Sequence, residues 1–161
     1  MKRYIKQKVF SWNDRFRIYD ACENDLYYVE GEILSLGKKL HLYRKSGEEL
    51  AFIHQKLLTF LPRYFISRNG VDVAEVVREL TFFRPRYTVK GPGWTVSGDI
   101  FEHEYEISSG RRPIASVSKR WFSWGDTYEI DIDDQADEVM VLAIVLVIDA
   151  VIEQNQRNHA S

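Results

Sequence analysis

Between Glu138 and Glu153 the chain reads EVMVLAIVLVIDAVIE, and from Val139 to Ile152 its sole polar residue is Asp149. A run like this belongs in a bilayer, in a partner's groove or at the centre of a fold. A crossing helix needs about 20 mostly apolar residues, and this run is shorter, closed by Gln154, Asn155, Gln156 and Arg157. Few cations follow as interfacial anchors. Asp131, Asp133, Asp134, Asp137 and Glu138 precede it, which suits a helix start, where the macrodipole is positive and Asp137 can cap free N–H groups. Val139 to Ile148 is apolar around the whole helical circumference, so such a helix is buried on every side. Its valines and isoleucines would also fit a buried strand, but the run is long for a strand, and Ala143 and Ala150 suit close helix packing.

Something must wrap this helix, and the rest of the chain reads as strands. Tyr27 to Leu36, Lys39 to Arg44 and Leu50 to Gln55 are rich in alternating aromatic and aliphatic residues, with Lys45-Ser46-Gly47 as a turn. Tyr64 to Ser67 and Val71 to Val77 flank Arg68-Asn69-Gly70, and Asn-Gly is the preferred pair where both turn positions need positive φ. Arg86 to Lys90, Trp94 to Gly98, Glu104 to Ile107, Ile114 to Ser118 and Thr127 to Ile132 continue the series between glycine-containing turns. The pattern predicts roughly ten to twelve strands and one helix.

The chain also resembles itself. Val29-Glu30-Gly31-Glu32-Ile33 matches Val96-Ser97-Gly98-Asp99-Ile100, and Gly47 with 51–56 matches Gly110 with 115–120. Two β-halves around one helix would produce this, and closing the sheet removes exposed edges. With 161 residues, 45% of them hydrophobic, one domain over 1–161 with a substantial core is expected. The net charge of −2 lacks the basic footprint of a nucleic-acid binder. Cys22 is the lone cysteine, which rules out an intramolecular disulfide and a cysteine-built zinc site. The N-terminus lacks the apolar segment of a signal peptide, so a cytoplasmic chain without a transmembrane segment is expected.

Ser35-Leu36-Gly37-Lys38-Lys39-Leu40, Glu49-Leu50-Ala51-Phe52-Ile53-His54-Gln55-Lys56 and 119–129, KRWFSWGDTYE, together with the apolar C-terminal run, resemble the LURP-one-related proteins of the Tubby C-terminal-like superfamily, which also holds the phospholipid scramblases. The resemblance spans nearly the whole chain. It implies a mainly β fold: a closed twelve-stranded barrel around a central hydrophobic C-terminal helix. It also implies binding rather than catalysis, since Tubby domains bind phosphoinositides and scramblases are proposed to move phospholipids.

A lipid headgroup needs convergent cations, and Lys38, Lys39, Arg111, Arg112, Lys119 and Arg120 are the candidates, with Arg44 and Lys45 beside them. They equally suit solvated turns. Lys119 shares a strand face with Ala115 and Val117, so it points inward at a barrel mouth unless a bulge intervenes. Asp149, on a buried helix, should meet a basic group or a backbone donor at a barrel end. Asp131, Asp133 and Gln135 are spaced like the start of a calcium loop, but Ala136 stands where the loop glycine belongs and Leu142 where the closing glutamate belongs. Helix-start acids fit better.

Catalytic patterns are weaker still. His41, His54, His103 and His159 show no metal spacing. Glu102-His103-Glu104, read as strand neighbours, point to opposite faces. No nucleophile elbow or phosphate loop is present. Trp12, Trp94, Trp121, Phe122 and Trp124 offer either core packing or a lipid-facing surface, and the basic 3–8 and 15–17 segments lie near Trp12. The expectation is a non-enzymatic binding protein without cofactor or metal, with anionic phospholipid at a membrane surface as ligand. A protein partner is the alternative, and an unrecognised hydrolase using Glu102 or His103 a further one.

Overall fold

The computed structural model describes residues 1–6, 15–122 and 125–160, and side chains at 121–126 lie outside that description. Twelve strands run in order: β1 (Lys2–Lys6), β2 (Phe16–Tyr19), β3 (Asp25–Gly31), β4 (Lys39–Arg44), β5 (Glu49–Gln55), β6 (Arg63–Arg68), β7 (Val71–Arg78), β8 (Tyr87–Lys90), β9 (Trp94–Asp99), β10 (Glu104–Ser109), β11 (Arg112–Phe122) and β12 (Gly125–Ile132). A 3-10 turn, Ile100–Glu102, links β9 to β10, and the helix α1 (Glu138–His159) closes the chain. Each strand pairs antiparallel with the next, and β1 pairs with β12, so the sheet is a closed barrel without a free edge.

Alternation decides which side chains face inward. Leu40 and Leu42 of β4, Ala51 and Ile53 of β5, and Tyr128, Ile130 and Ile132 of β12 are buried against α1. On the outer wall the rings of His41, Phe52, His54 and Phe65 stack in sequence across β4, β5 and β6, at centroid separations of 4.7, 5.2 and 5.3 Å. The β6–β7 turn has Asn69 at φ 51° and Gly70 at φ 76°, the paired positive values that a two-residue hairpin needs. Four register shifts, at 18/19, 42/43, 66/67 and 107/108, all fall near the same end of the barrel, where bulges add curvature to the closing sheet.

α1 enters at that end. Asp137 caps it by accepting from the Met140 amide at 3.1 Å, and Arg68 of the β6–β7 turn binds the Asp137 carboxylate. Met140 to Ile152 are all buried, Asp149 included, so the apolar run forms the axle of the barrel. The helix continues past Glu153 to His159, further than the polar residues predict. Its last turns emerge from the opposite mouth, where Gln154 to His159 meet solvent and Glu153 pairs with Arg157 one turn on.

Two further features differ from the sequence reading. The segment 33–36 is a loop, not the end of β3: Gly37 at φ 79° and the Ser35 hydroxyl donating to the Gly37 carbonyl make a turn there. β1 and β2 are strands in their own right and complete the ring. The self-similar segments fall on β3 and β9 and on β5 and β11. Each pair is six positions apart, a half-turn around twelve strands.

Candidate functional site

Strand alternation places the loops 32–38, 56–62 and 79–86, and the 3-10 turn, at the mouth from which α1 emerges. The three loops are adjacent and carry Ile33, Leu34 and Leu36, then Leu57, Leu58 and Phe60, then Leu80, Phe82 and Phe83. Among the described residues these are nine of the ten exposed large apolar side chains; Val71, at the other end, is the tenth. Leu34, Leu58, Phe60, Phe82 and Phe83 are each at least 96% exposed. Scattered single exposures need no explanation, but a contiguous apolar rim marks an interaction surface.

The mouth loops are net basic. The three loops hold Lys38, Lys56, Arg84 and Arg86 against Glu32 and Glu79, whereas the far end carries both signs: Asp20, Glu23, Asp25, Asp131, Asp133, Asp134, Asp137 and Glu138 stand with Lys2, Arg3, Arg44, Lys45, Arg68, Lys90, Arg111 and Arg112. Those far acids serve structure. Asp133 accepts from Arg112 and from the Gln135 amide, Asp134 binds the terminal amino group at 2.7 Å, and Glu138 binds Arg3.

The headgroup candidates separate accordingly. Lys38 turns to Glu153 of α1 at 2.6 Å and Lys39 lies 3.4 Å from Glu32, both at the mouth. Arg111 and Arg112 occupy the β10–β11 turn at the far end, Arg112 3.0 Å from Asp133. Lys119 stands opposite the inward Tyr128 with no register shift between β11 and β12 from Ala115 on, so it does face inward near the mouth, and its amide donates to Glu104. Arg120 is on the outer wall, where it and Lys2 both bind Glu129, at 2.8 and 2.7 Å. Burial opposes ionisation of Glu129, but bonds from Arg120, Lys2 and Tyr4 outweigh it and hold its carboxyl at about 2. Trp94 packs half-buried at the far end, whereas Trp12, Trp124 and the side chains of Trp121 and Phe122 lie outside the described residues.

Asp149 finds its partner in His103, whose Nε2 lies 3.6 Å from Oδ1. The 3-10 turn leaves Glu102 and Glu104 exposed and turns His103 alone inward, at φ 57°, stacked on Tyr128 at 4.1 Å. The alternation of faces expected for 102–104 is present, set by the 3-10 turn before β10 rather than by a continuous strand. Burial pushes the Asp149 carboxyl up, against the opposing pull of His103 and Lys38. Burial and the nearby Asp149 also push the Tyr105 hydroxyl well up. A cavity of about 20 Å³ bordered by Lys38, Leu40, Asp149 and Glu153 is room for about one water.

A closed antiparallel barrel threaded by its own apolar helix, with one apolar mouth, defines this class of protein. The chain belongs to the LURP-one-related family, whose model matches residues 1–149. It is 40% identical over 153 residues to the uncharacterized protein YxjI of Bacillus subtilis (strain 168), covering 95% of this chain and 94% of that one. An X-ray structure of a protein from Arabidopsis thaliana shares the fold, with a TM-score of 0.68 at 18% identity over 93% of this chain and 90% of that one. Among the described residues no helix is long and apolar enough to cross a membrane.

Proposed function

We propose that this protein is a non-enzymatic, cytoplasmic binding protein that docks its barrel mouth on membrane surfaces containing anionic phospholipid. The apolar rim carries this reading: nine exposed apolar side chains on three adjacent loops, with the exposed Lys56 and Arg84 among them. Separate, fully exposed tips suit insertion between headgroups better than they suit a flat protein interface. Burying five such tips even partly is worth on the order of 5 kcal/mol, which alone gives only sub-millimolar affinity. Each nearby cation adds about 1 kcal/mol at an anionic surface, so docking needs both signals. The hydrolase alternative has less support, because His103 is enclosed in the barrel wall against Asp149. The exposed lone thiol of Cys22 fits a reducing compartment.

Flotation with vesicles of phosphatidylglycerol and phosphatidylcholine tests the proposal. Co-migration is expected at low salt, reduced at high salt, and lost in a Leu34→Ser, Phe82→Ser, Phe83→Ser variant that still unfolds cooperatively. No co-migration of the wild-type protein at low salt would overturn it and turn attention to a protein partner.

A further inference from the structure

A cavity of about 370 Å³ opens at the mouth between the 56–62 loop and the emerging end of α1, a volume within the range of small-ligand sites. Leu57, Leu61, Phe101 and Val151 give it an apolar wall. Two cationic residues border it, and their side chains point apart. The Lys56 ammonium stands on the outer wall over the Phe65 ring, 5.9 Å from its centroid. Arg78 lies two residues beyond the buried Val76 on β7 and pairs in register with the buried Tyr87, so it faces inward. The cavity is therefore served by a single guanidinium, and among the described residues no carboxylate borders it.

The Arg78 side chain is half-buried and makes no ion pair or hydrogen bond with a described residue. The acids around it are already engaged. Glu75 holds Arg63, Glu79 holds Arg86 and Thr88, and Glu153 of α1 is bound by Lys38 and Arg157. The hydroxyl of Tyr87, its cross-strand neighbour, is buried without a hydrogen bond and so does not satisfy it either. A charge partly withdrawn from water is costly without a partner, and this one looks onto open space. Across the cavity α1 presents Asn155 and Asn158, three positions apart and hence on one helix face. Neither side chain bonds a described residue, and a carboxamide both donates and accepts, as a peptide unit does.

We infer that this cavity captures the C-terminus of a partner polypeptide that ends in an apolar residue. The terminal carboxylate sits in the fork of Arg78, the last side chain against Leu57, Leu61 and Phe101, and the last peptide units across Asn155 and Asn158. Charge complementarity carries the assignment. One planar guanidinium matches one carboxylate through two parallel hydrogen bonds. The apolar wall offers a bare ion nothing, and the asparagines match peptide groups that a simple fatty acid lacks. The site needs no bilayer, so it goes beyond membrane docking and stands independently of it.

Calorimetry with acetyl-Gly-Leu-Leu, which ends in a free carboxylate, tests the site without vesicles. Saturable one-to-one binding is expected. Replacing the peptide by its C-terminal amide, or the protein by Arg78→Gln, should each weaken binding about tenfold, with circular dichroism confirming that the variant folds. The two changes together should cost no more than either alone, because both remove the same contact. Arg86→Gln, outside the cavity, should bind the peptide as wild type does. The Leu34→Ser, Phe82→Ser, Phe83→Ser variant should also bind it normally while failing flotation. Absence of saturable binding, equal binding of acid and amide, or additive losses in the combined experiment would overturn the inference, and octanoate binding as tightly as the peptide would overturn the polypeptide as ligand. Flotation without peptide binding overturns this inference alone, and peptide binding without flotation overturns membrane docking alone.

Discussion

His103 Nε2 lies 3.6 Å from Asp149 Oδ1 inside the barrel, with both side chains more than nine-tenths buried. Neither carboxylate oxygen makes a hydrogen bond to a described residue, and burial raises the carboxyl above its ordinary 3.8. A folded-state value above the unfolded one means the native state binds the extra proton, so stability falls as pH rises through the raised value. Asp149→Asn removes the cost of the charge while keeping the shape. We expect the variant to be more stable than wild type at pH 7 by about 1 kcal/mol. In urea titrations across pH the gain should vanish below 3.8. A variant less stable than wild type at pH 7 would mean that His103 holds the carboxylate ionised and that the pair contributes net stability.

Leu146, at the middle of α1, is fully buried, and it tests whether the apolar run is the core. Leu146→Ala should cost about 3 kcal/mol, the transfer of the lost methyl groups plus a cavity that a ring of strands cannot collapse around. Chemical denaturation would show this as a lower midpoint with an unchanged slope. A change below about 0.5 kcal/mol, that of a surface substitution, would contradict the barrel-centred helix.

The helix and the strands were legible because both are written in local periodicity. Val139 to Ile148 leaves no polar face, and Leu40 with Leu42 or Ala51 with Ile53 alternate as a half-buried wall does. The rim was not legible. Leu36 reads as a strand residue because an exposed leucine in a loop has the same letter as a buried one, and only the turn at Gly37 shows otherwise. Phe82 and Phe83 likewise carry no periodic context that marks them as exposed. His103 escaped because a left-handed conformation at a non-glycine residue leaves no sequence signature. The need of Asp149 for a partner was visible, but the partner lies 46 positions away along the chain, at 103. The cation candidates show the limit of charge counting: Lys38 and Arg112 look alike in sequence, yet they serve opposite ends of the barrel.

Gly98 belongs to the segment shared between the two halves, and its backbone has φ 130°. A Cβ there would sit 2.7 Å from the Glu104 carbonyl oxygen and 2.8 Å from the Tyr105 Cα, and backbone cannot move aside as a flexible side chain can. Gly98→Ala should therefore cost about 3 kcal/mol or more. Gly110, at φ 59° with nothing within 4 Å of where a Cβ would stand, isolates the conformational cost, and Gly110→Ala should lose only about 1 kcal/mol. Similar losses at both positions, read from thermal melts, would show that close strand approach at Gly98 is not what requires glycine.

Glu129 ties the first strand to the last two of the ring. On the outer face of β12 it accepts from Lys2 and Tyr4 of β1 on one side and from Arg120 of β11 on the other. Its carboxyl is held at about 2, below the ordinary 4.5. The linkage sign is opposite to that of Asp149: the contribution is fully present above 4.5 and is lost as pH falls toward about 2. Lys2 and Arg120 are each close to half exposed, so solvent screens the pairs and Glu129→Gln should cost only about 1 kcal/mol at pH 7. The loss should shrink with added salt and disappear as the pH approaches 2. Amide exchange at Lys2 to Lys6 should quicken in the variant, because that strand loses its side-chain tie to β12. A loss independent of pH and salt would assign the effect to packing of the side chain rather than to its charge.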